Sequence, residues 1–398
     1  MAGWTDDEVL IVSATRTPIG KFLGGLAPLS AVQLGAAAIR EAVQRARVEG
    51  ALVDEVLMGN VVLAGEGQAP ARQAAIHGGL PPTVSATTLN KVCGSGLKAV
   101  MWGAQQIRLG DADIIVAGGM ESMSNGPYLL PRARTGFRMG HATVIDAVIH
   151  DGLWCPFEDQ HMGEAAEFIA DQYQISRREM DEFSLASHRK AVAATNQGQF
   201  KAEIVPVHVP GKGAGTTIDR DECPRADTSL EALAALKPAF RAGGKVTAGN
   251  APGLSDGAAA LVLMSGRKAR ELGCRPLARI TGWAQAAVEP KWIFIAPVFA
   301  IRNLLRRTGT TLQTFDLLEV NEAFAAQVLA DGKELGWDWD RLNVHGGGVA
   351  LGHPIGASGA RILVTLLYAL RSRGQAHGLA ALCLGGGEAV ALSVEMLG

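Results

Sequence analysis

Residues 343–367 read "NVHGGGVALGHPIGASGARILVTLL", and residues 84–110 read "VSATTLNKVCGSGLKAVMWGAQQIRLG". Each is a short extended run, then a glycine-bearing loop, then an apolar helix. The first loop holds His353 between Gly352 and Pro354, and the second holds Cys93 before Gly94. Around each stretch the same pattern of strands and helices recurs, once before about residue 120 and once after about residue 270. The turn at Gly118-Gly119 corresponds to the one at Gly385-Gly386-Gly387. This spacing is expected of an internal duplication, two similar α/β layers facing each other with the matched loops meeting at one site. In detail, "VLIVSATRTPIG" predicts a strand, and "SAVQLGAAAIREAVQRA" a helix capped by Ser30. "ADIIVAGGMESM" predicts a buried strand, and "NVH" a strand before the His353 loop.

The expected organisation is a first core half over residues 1–119, completed by about 246–270, and a second over 271–398. Between them lies a loop domain, 120–245, irregular at first and then helical. Such an insertion suits ligand binding and subunit contacts.

Composition excludes several functions. The 398 residues carry 37 Lys plus Arg against 39 Asp plus Glu, a net charge of −2 without a long run of one sign, which disfavours a nucleic-acid or polybasic membrane protein. The start, "MAGWTDDEVLIV", lacks the basic region of a signal peptide and the Arg-rich character of a transit peptide, so a cytoplasmic protein is expected. Five scattered cysteines with no C-x-x-C pair predict neither disulfides nor a zinc site. No G-x-G-x-x-G opens a helix after the first strand with an acidic residue at the usual distance, so no nicotinamide or flavin site is expected.

Four residues could carry chemistry. Cys93 precedes a helix whose free N–H groups and partial positive charge would lower its thiol pKa toward neutrality; the alternative is a small buried apolar residue. His353 would take the proton of Cys93 if the two loops meet, and otherwise serves its turn. Cys383, at a strand end before three glycines, is either a core residue or a second acid/base, with the glycine amides aimed at a developing oxyanion. Asn321 reads equally as a helix cap or as an amide holding a water or carbonyl oxygen.

With these residues in place, the chain resembles the thiolase family, most closely its biosynthetic, acetyl-CoA acetyltransferase branch. The motifs "NKVCGSGLKAV", "AGGMESMSN", "VTAGNAPGLSDGAAA", "EVNEAFAAQ", "GHPIGASGARI" and "CLGGG" stand in the family's order from about Val9 to Glu395. The resemblance implies a duplicated five-layered α/β/α/β/α core with an inserted loop domain. It implies Claisen condensation of two acetyl-CoA to acetoacetyl-CoA and CoA through a Cys93 acyl-enzyme, with no metal or organic cofactor, coenzyme A being substrate and product. By the same resemblance His353 is the activating base, and Cys383 exchanges the α-proton. Asn321 with His353 forms one oxyanion hole, and the amides of Cys93 and Gly385 form another. His161 and Met162 would face pantetheine and substrate. Arg225, Phe240 and Ala248 would line the coenzyme A tunnel, and Phe324 would lie near the acyl group. A homotetramer, a dimer of dimers using the stretch near Pro127 to Met139, is also implied.

The sequence departs from the family pattern at Pro252, where a serine usually meets pantetheine, and at "KWIFIAP" (291–297). There Ile293 replaces a methionine and Phe294 a glycine, which either narrows the acyl pocket or repacks it. Three other functions are compatible with parts of the sequence. A non-catalytic coenzyme A-binding module would be expected to lack Cys93 or His353. A ketoacyl synthase would lack Cys383. A degradative 3-ketoacyl-CoA thiolase differs only in acyl length, which the sequence leaves open.

Overall fold

The computed structural model describes residues 3–211 and 213–397. The first half runs β1 (Val9–Arg16), α1 (Ala31–Ala46), β2 (Glu55–Gly59), α2 (Pro70–His77), β3 (Ser85–Leu89), α3 (Ser95–Leu109) and β4 (Ile114–Ser122). The following segment carries α4 (Met162–Gln172) and α5 (Arg177–Asn196), and the chain returns as β5 (Ser255–Ser265), antiparallel between β1 and β4. The second half runs β6 (Ala278–Ala287), α6 (Ala296–Thr308), β7 (Leu317–Val320), α7 (Ala325–Leu335), α8 (Ile355–Arg373), β8 (His377–Leu384) and β9 (Glu388–Met396). Ser30 caps α1 as expected: its hydroxyl accepts from Gln33 N–H, and the Gln33 side chain accepts from Ser30 N–H.

Among the described residues one ten-stranded sheet has the order β7-β8-β9-β6-β1-β5-β4-β2-β3, with the short strand Gly20–Lys21 added to β5. The two half-sheets join only where Leu10 faces Arg279 and Ile11 faces Ala278. On either side of that seam they wrap α3 and α8, whose apolar residues form one core cluster with both sheets. Helices α1 and α2 cover the outer face of the first half-sheet, and α6 and α7 that of the second. The result is five layers, α/β/α/β/α. Strand β1 is buried throughout, Ser13, Thr15 and Arg16 included, and α8 is buried except near its end.

Glycines set the distance between the central helices. A Cβ on Gly96 would lie 2.8 Å from the Ala360 backbone nitrogen, and one on Gly359 would lie 2.5 Å from that of Leu97. The contact is reciprocal, as an approximate two-fold requires, and it occurs near the start of both helices. Cys93 and His353, each just before its helix, are thereby brought to one end of the molecule.

One expected strand does not form. At "NVH" only Leu342 bridges β7, opposite Leu318. Asn343 then turns to φ 43°, and its side-chain amide takes over the pairing, accepting from Val320 N–H at 2.9 Å and donating to Val320 O at 2.8 Å. A side chain here does what a ladder does elsewhere, so the backbone is free to leave the sheet.

Candidate active site

Cys93 sits on a sharp turn between β3 and α3. Val92, just before it, has φ 46°, a conformation costly for a β-branched side chain. Neighbouring side chains hold it there: Asn90 Oδ1 accepts from Val92 N–H at 2.9 Å, and Ser95 Oγ accepts from Lys91 N–H at 2.8 Å while donating to Val92 O at 2.6 Å. Strain concentrated beside one thiol, with three bonds to maintain it, marks the turn as built to present that thiol.

The turn after β8 meets it. Gly94 packs so closely on Leu384 that a Cβ would overlap its Cδ2, and the Val92 side chain lies against Gly385. The backbone N–H of Gly385 lies near enough to the Cys93 thiol to favour its thiolate. Gly386 and Gly387, at φ 88° and 86°, make the hairpin that β9 needs to return, and Cys383 lies at its base, buried.

His353 arrives from the other loop. Gly352, at φ 100°, leaves room for Ser255, whose hydroxyl accepts from His353 N–H at 3.2 Å and donates to Gly253 O at 2.7 Å. On the ring, Nδ1 lies 2.6 Å from Ser358 Oγ and 3.5 Å from Asn321 Nδ2. Nε2 has no partner among the described residues, and neither has Asn321 Oδ1. Below the loop, Glu121 accepts from Gly356 N–H, Val61 N–H, Val62 N–H and Asn60 Nδ2, which ties the start of α8 to the first half.

Cys93, His353 and Cys383 line one cavity of about 330 Å³. Its walls include His161, Met162, Phe240, Ala248, Pro252, Ile293 and Phe324. One side is aromatic: the His161 ring stacks on Phe240 at 4.8 Å, Phe240 meets Phe324 at 6.3 Å, and Phe324 meets Phe294 at 5.2 Å. His161 is fixed as the cap of α4, its Nδ1 accepting from Gly163 N–H. Two residues singled out from the sequence border the site without lining it: Asn321 lies buried behind His353, and Gly385 contributes its backbone. Arg225 lies elsewhere, its side chain exposed and its N–H donating to His188 Nδ1. Ser358 and Glu121 were not legible in the sequence, one being a serine inside a helix and the other an acid inside a buried strand.

Protonation departs from the sequence expectation. Burial pushes the Cys93 thiol up to about 11, outweighing the Gly385 N–H that favours the thiolate. A helix start was expected to lower it, but the partial exposure Cys93 keeps is onto an apolar cavity, and desolvation wins. Cys383 is raised well above the ordinary thiol range, first by burial and then by Cys93 and Asp331. Burial, then the Arg361 charge, holds His353 down to about 3. At neutral pH all three groups are uncharged. With a pKa near 11, Cys93 is about one part in 10³ thiolate at pH 8. Its alkylation by iodoacetamide, followed by mass spectrometry of the Cys93 peptide, should therefore rise about tenfold per pH unit from pH 7 to pH 10. Levelling off near pH 8 would show a thiol at or below its ordinary value.

Two thiols and an imidazole that meet in an apolar cavity are groups able to give or take a proton and to form an acyl thioester. The thiolase N-terminal domain family model matches residues 9–267 and the C-terminal one residues 274–396. The chain belongs to the thiolase family. This thiolase is 56% identical to an acetyl-CoA acetyltransferase of Pseudomonas aeruginosa, over 97% of this chain and 99% of that one. It is 54% identical to that of Cupriavidus necator, over 98% and 99%. The crystal structure of the Bacillus anthracis acetyl-CoA acetyltransferase matches the thiolase with a TM-score of 0.96 at 47% identity, covering 98% and 99% of the two chains.

Proposed function

We propose that this thiolase is an acetyl-CoA acetyltransferase that interconverts two acetyl-CoA with acetoacetyl-CoA and CoA through an acetyl-Cys93 intermediate. The observation that carries this reading is the convergence of Cys93, His353 and Cys383, all uncharged at rest, on one apolar cavity. His353 Nε2 takes the Cys93 proton as the sulfur attacks the thioester, and the departing CoA thiolate takes the proton of Cys383. The Cys383 thiolate then removes the α-proton of a second acetyl-CoA. That carbanion attacks acetyl-Cys93, and the Cys93 thiolate recovers its proton from His353. Every proton is accounted for, and the reading needs no metal or organic cofactor. Asn321 with His353, and the amides of Cys93 and Gly385, would stabilise the developing oxyanions, each donor being worth about 10²–10³ in rate.

Pantetheine would run past His161, Met162, Ala248 and Pro252, with Phe240 beside it, and Arg225 would meet phosphates outside the cavity. Exposed apolar side chains at Tyr128, Leu130, Phe137 and Met139 support assembly into a homotetramer through this stretch. No helix among the described residues is long and apolar enough to cross a membrane; a cytoplasmic enzyme is the reading we adopt.

Ile293 and Phe294 are buried, line the cavity and stand against Phe324, which favours short acyl chains. The test is CoA-dependent cleavage of acetoacetyl-CoA against 3-ketooctanoyl-CoA. We expect the short substrate to be preferred by at least about 10²-fold in kcat/KM, and Phe294→Ala to shrink that preference about tenfold or more. Equal cleavage of the longer substrate by the unmodified enzyme would favour a degradative 3-ketoacyl-CoA thiolase instead.

A further inference from the structure

His353 has two ring nitrogens, and as a neutral base it must carry its single proton on the right one. The surrounding bonds decide which. Ser358, one turn into α8, lies 2.6 Å from Nδ1 through its hydroxyl, and that hydroxyl also lies 2.9 Å from Pro354 O. A carbonyl only accepts, and a serine has one proton to give. If Ser358 donates to Pro354 O, it can only accept from Nδ1–H, and two bonds form. If the proton sits on Nε2 instead, Ser358 must donate to Nδ1 and the bond to Pro354 O is lost. Nε2 has no partner among the described residues in either form, so the bond to Pro354 O decides the count. Asn321 Nδ2, at 3.5 Å from Nδ1, is at the outer limit of a hydrogen bond and does not alter the count.

We propose that Ser358 is a positioning residue: its hydroxyl, anchored on Pro354 O, accepts the Nδ1 proton of His353 and so leaves the Nε2 lone pair bare toward the cavity. This rests on the reading of His353 as the base for Cys93. When Nε2 takes the Cys93 proton, the Nδ1–H···Ser358 bond is already made and nothing has to rotate. The same bond steadies the imidazolium for as long as acetyl-Cys93 persists, until the proton returns to the Cys93 sulfur. The acceptor is a neutral hydroxyl rather than a carboxylate, which suits a site where burial already keeps the ring uncharged.

The test has a spectroscopic and a kinetic arm. In protein labelled with ¹⁵N-histidine, the His353 signals, assigned by their loss in His353→Gln, should show Nδ1 protonated and Nε2 bare at neutral pH. In Ser358→Ala the Nε2–H tautomer should become populated. Single-turnover acetylation of Cys93 should fall about 10–100-fold with KM little changed, and Ser358→Thr, which keeps a hydroxyl, should recover most of it. An Nε2–H tautomer in the unmodified protein would overturn the proposal, as would normal acetylation by Ser358→Ala. Normal acetylation by His353→Gln would instead overturn the reading of His353 as base, whatever the tautomer.

Discussion

Cys93→Ala is expected to lose at least about 10⁴-fold in kcat for both condensation and cleavage, with the protein still folded. The loss is large because no other thiol can take over. Cys383 is buried at the base of the hairpin, whereas Cys93 is the one set on a strained turn, with the Gly385 N–H favouring its thiolate. Removing Sγ slightly enlarges a cavity that Cys93 already lines, so thermal stability should change little while turnover disappears. Acetyl-CoA binding, measured by calorimetry, should survive, because the cavity walls at Phe240, Phe324 and Pro252 are untouched. Substantial residual turnover would mean that the acyl group passes between substrates without resting on Cys93.

The second large effect belongs to Cys383→Ala, and it is selective. Acetyl transfer to Cys93 should persist at a reduced rate, because the departing CoA thiolate can draw a proton from water. Exchange of the acetyl-CoA α-protons with deuterated solvent, read by mass spectrometry, should fall by about 10²–10⁴-fold, the usual worth of a positioned acid/base. Condensation should fall with it. A variant that lost acetylation and exchange together would show that the first step cannot proceed without the Cys383 proton. One that kept exchange would remove it from the chemistry.

Much of this was legible in the sequence because the reactive residues stand beside glycines whose purpose is geometric. Gly94 lets the Cys93 turn seat on Leu384, Gly352 leaves room for Ser255, and Gly386 and Gly387 turn the last hairpin. A glycine beside a reactive residue marks a close approach whatever it meets, and so these were readable. The duplication was readable too, through the matched loops before α3 and α8. What escaped carries no such mark. The Cys93 pKa goes up because walls from several segments remove water, an effect that no motif around "VCGSG" contains. Ser358 and Glu121 act on a neighbouring loop through space, and in sequence they look like a helix residue and a strand residue. The absent strand at Asn343 turns on one amide side chain replacing a backbone partner. Arg225 lies off the cavity because its segment packs against His188 in α5.

Passage of the acyl group through Cys93 is open to direct test. The enzyme would be mixed with radiolabelled acetyl-CoA, quenched in acid and digested, and the labelled peptide identified by mass spectrometry. Label is expected on the peptide containing Cys93, and none on that peptide in Cys93→Ala. Label on Cys383, or turnover with no labelled protein at any quench time, would contradict it.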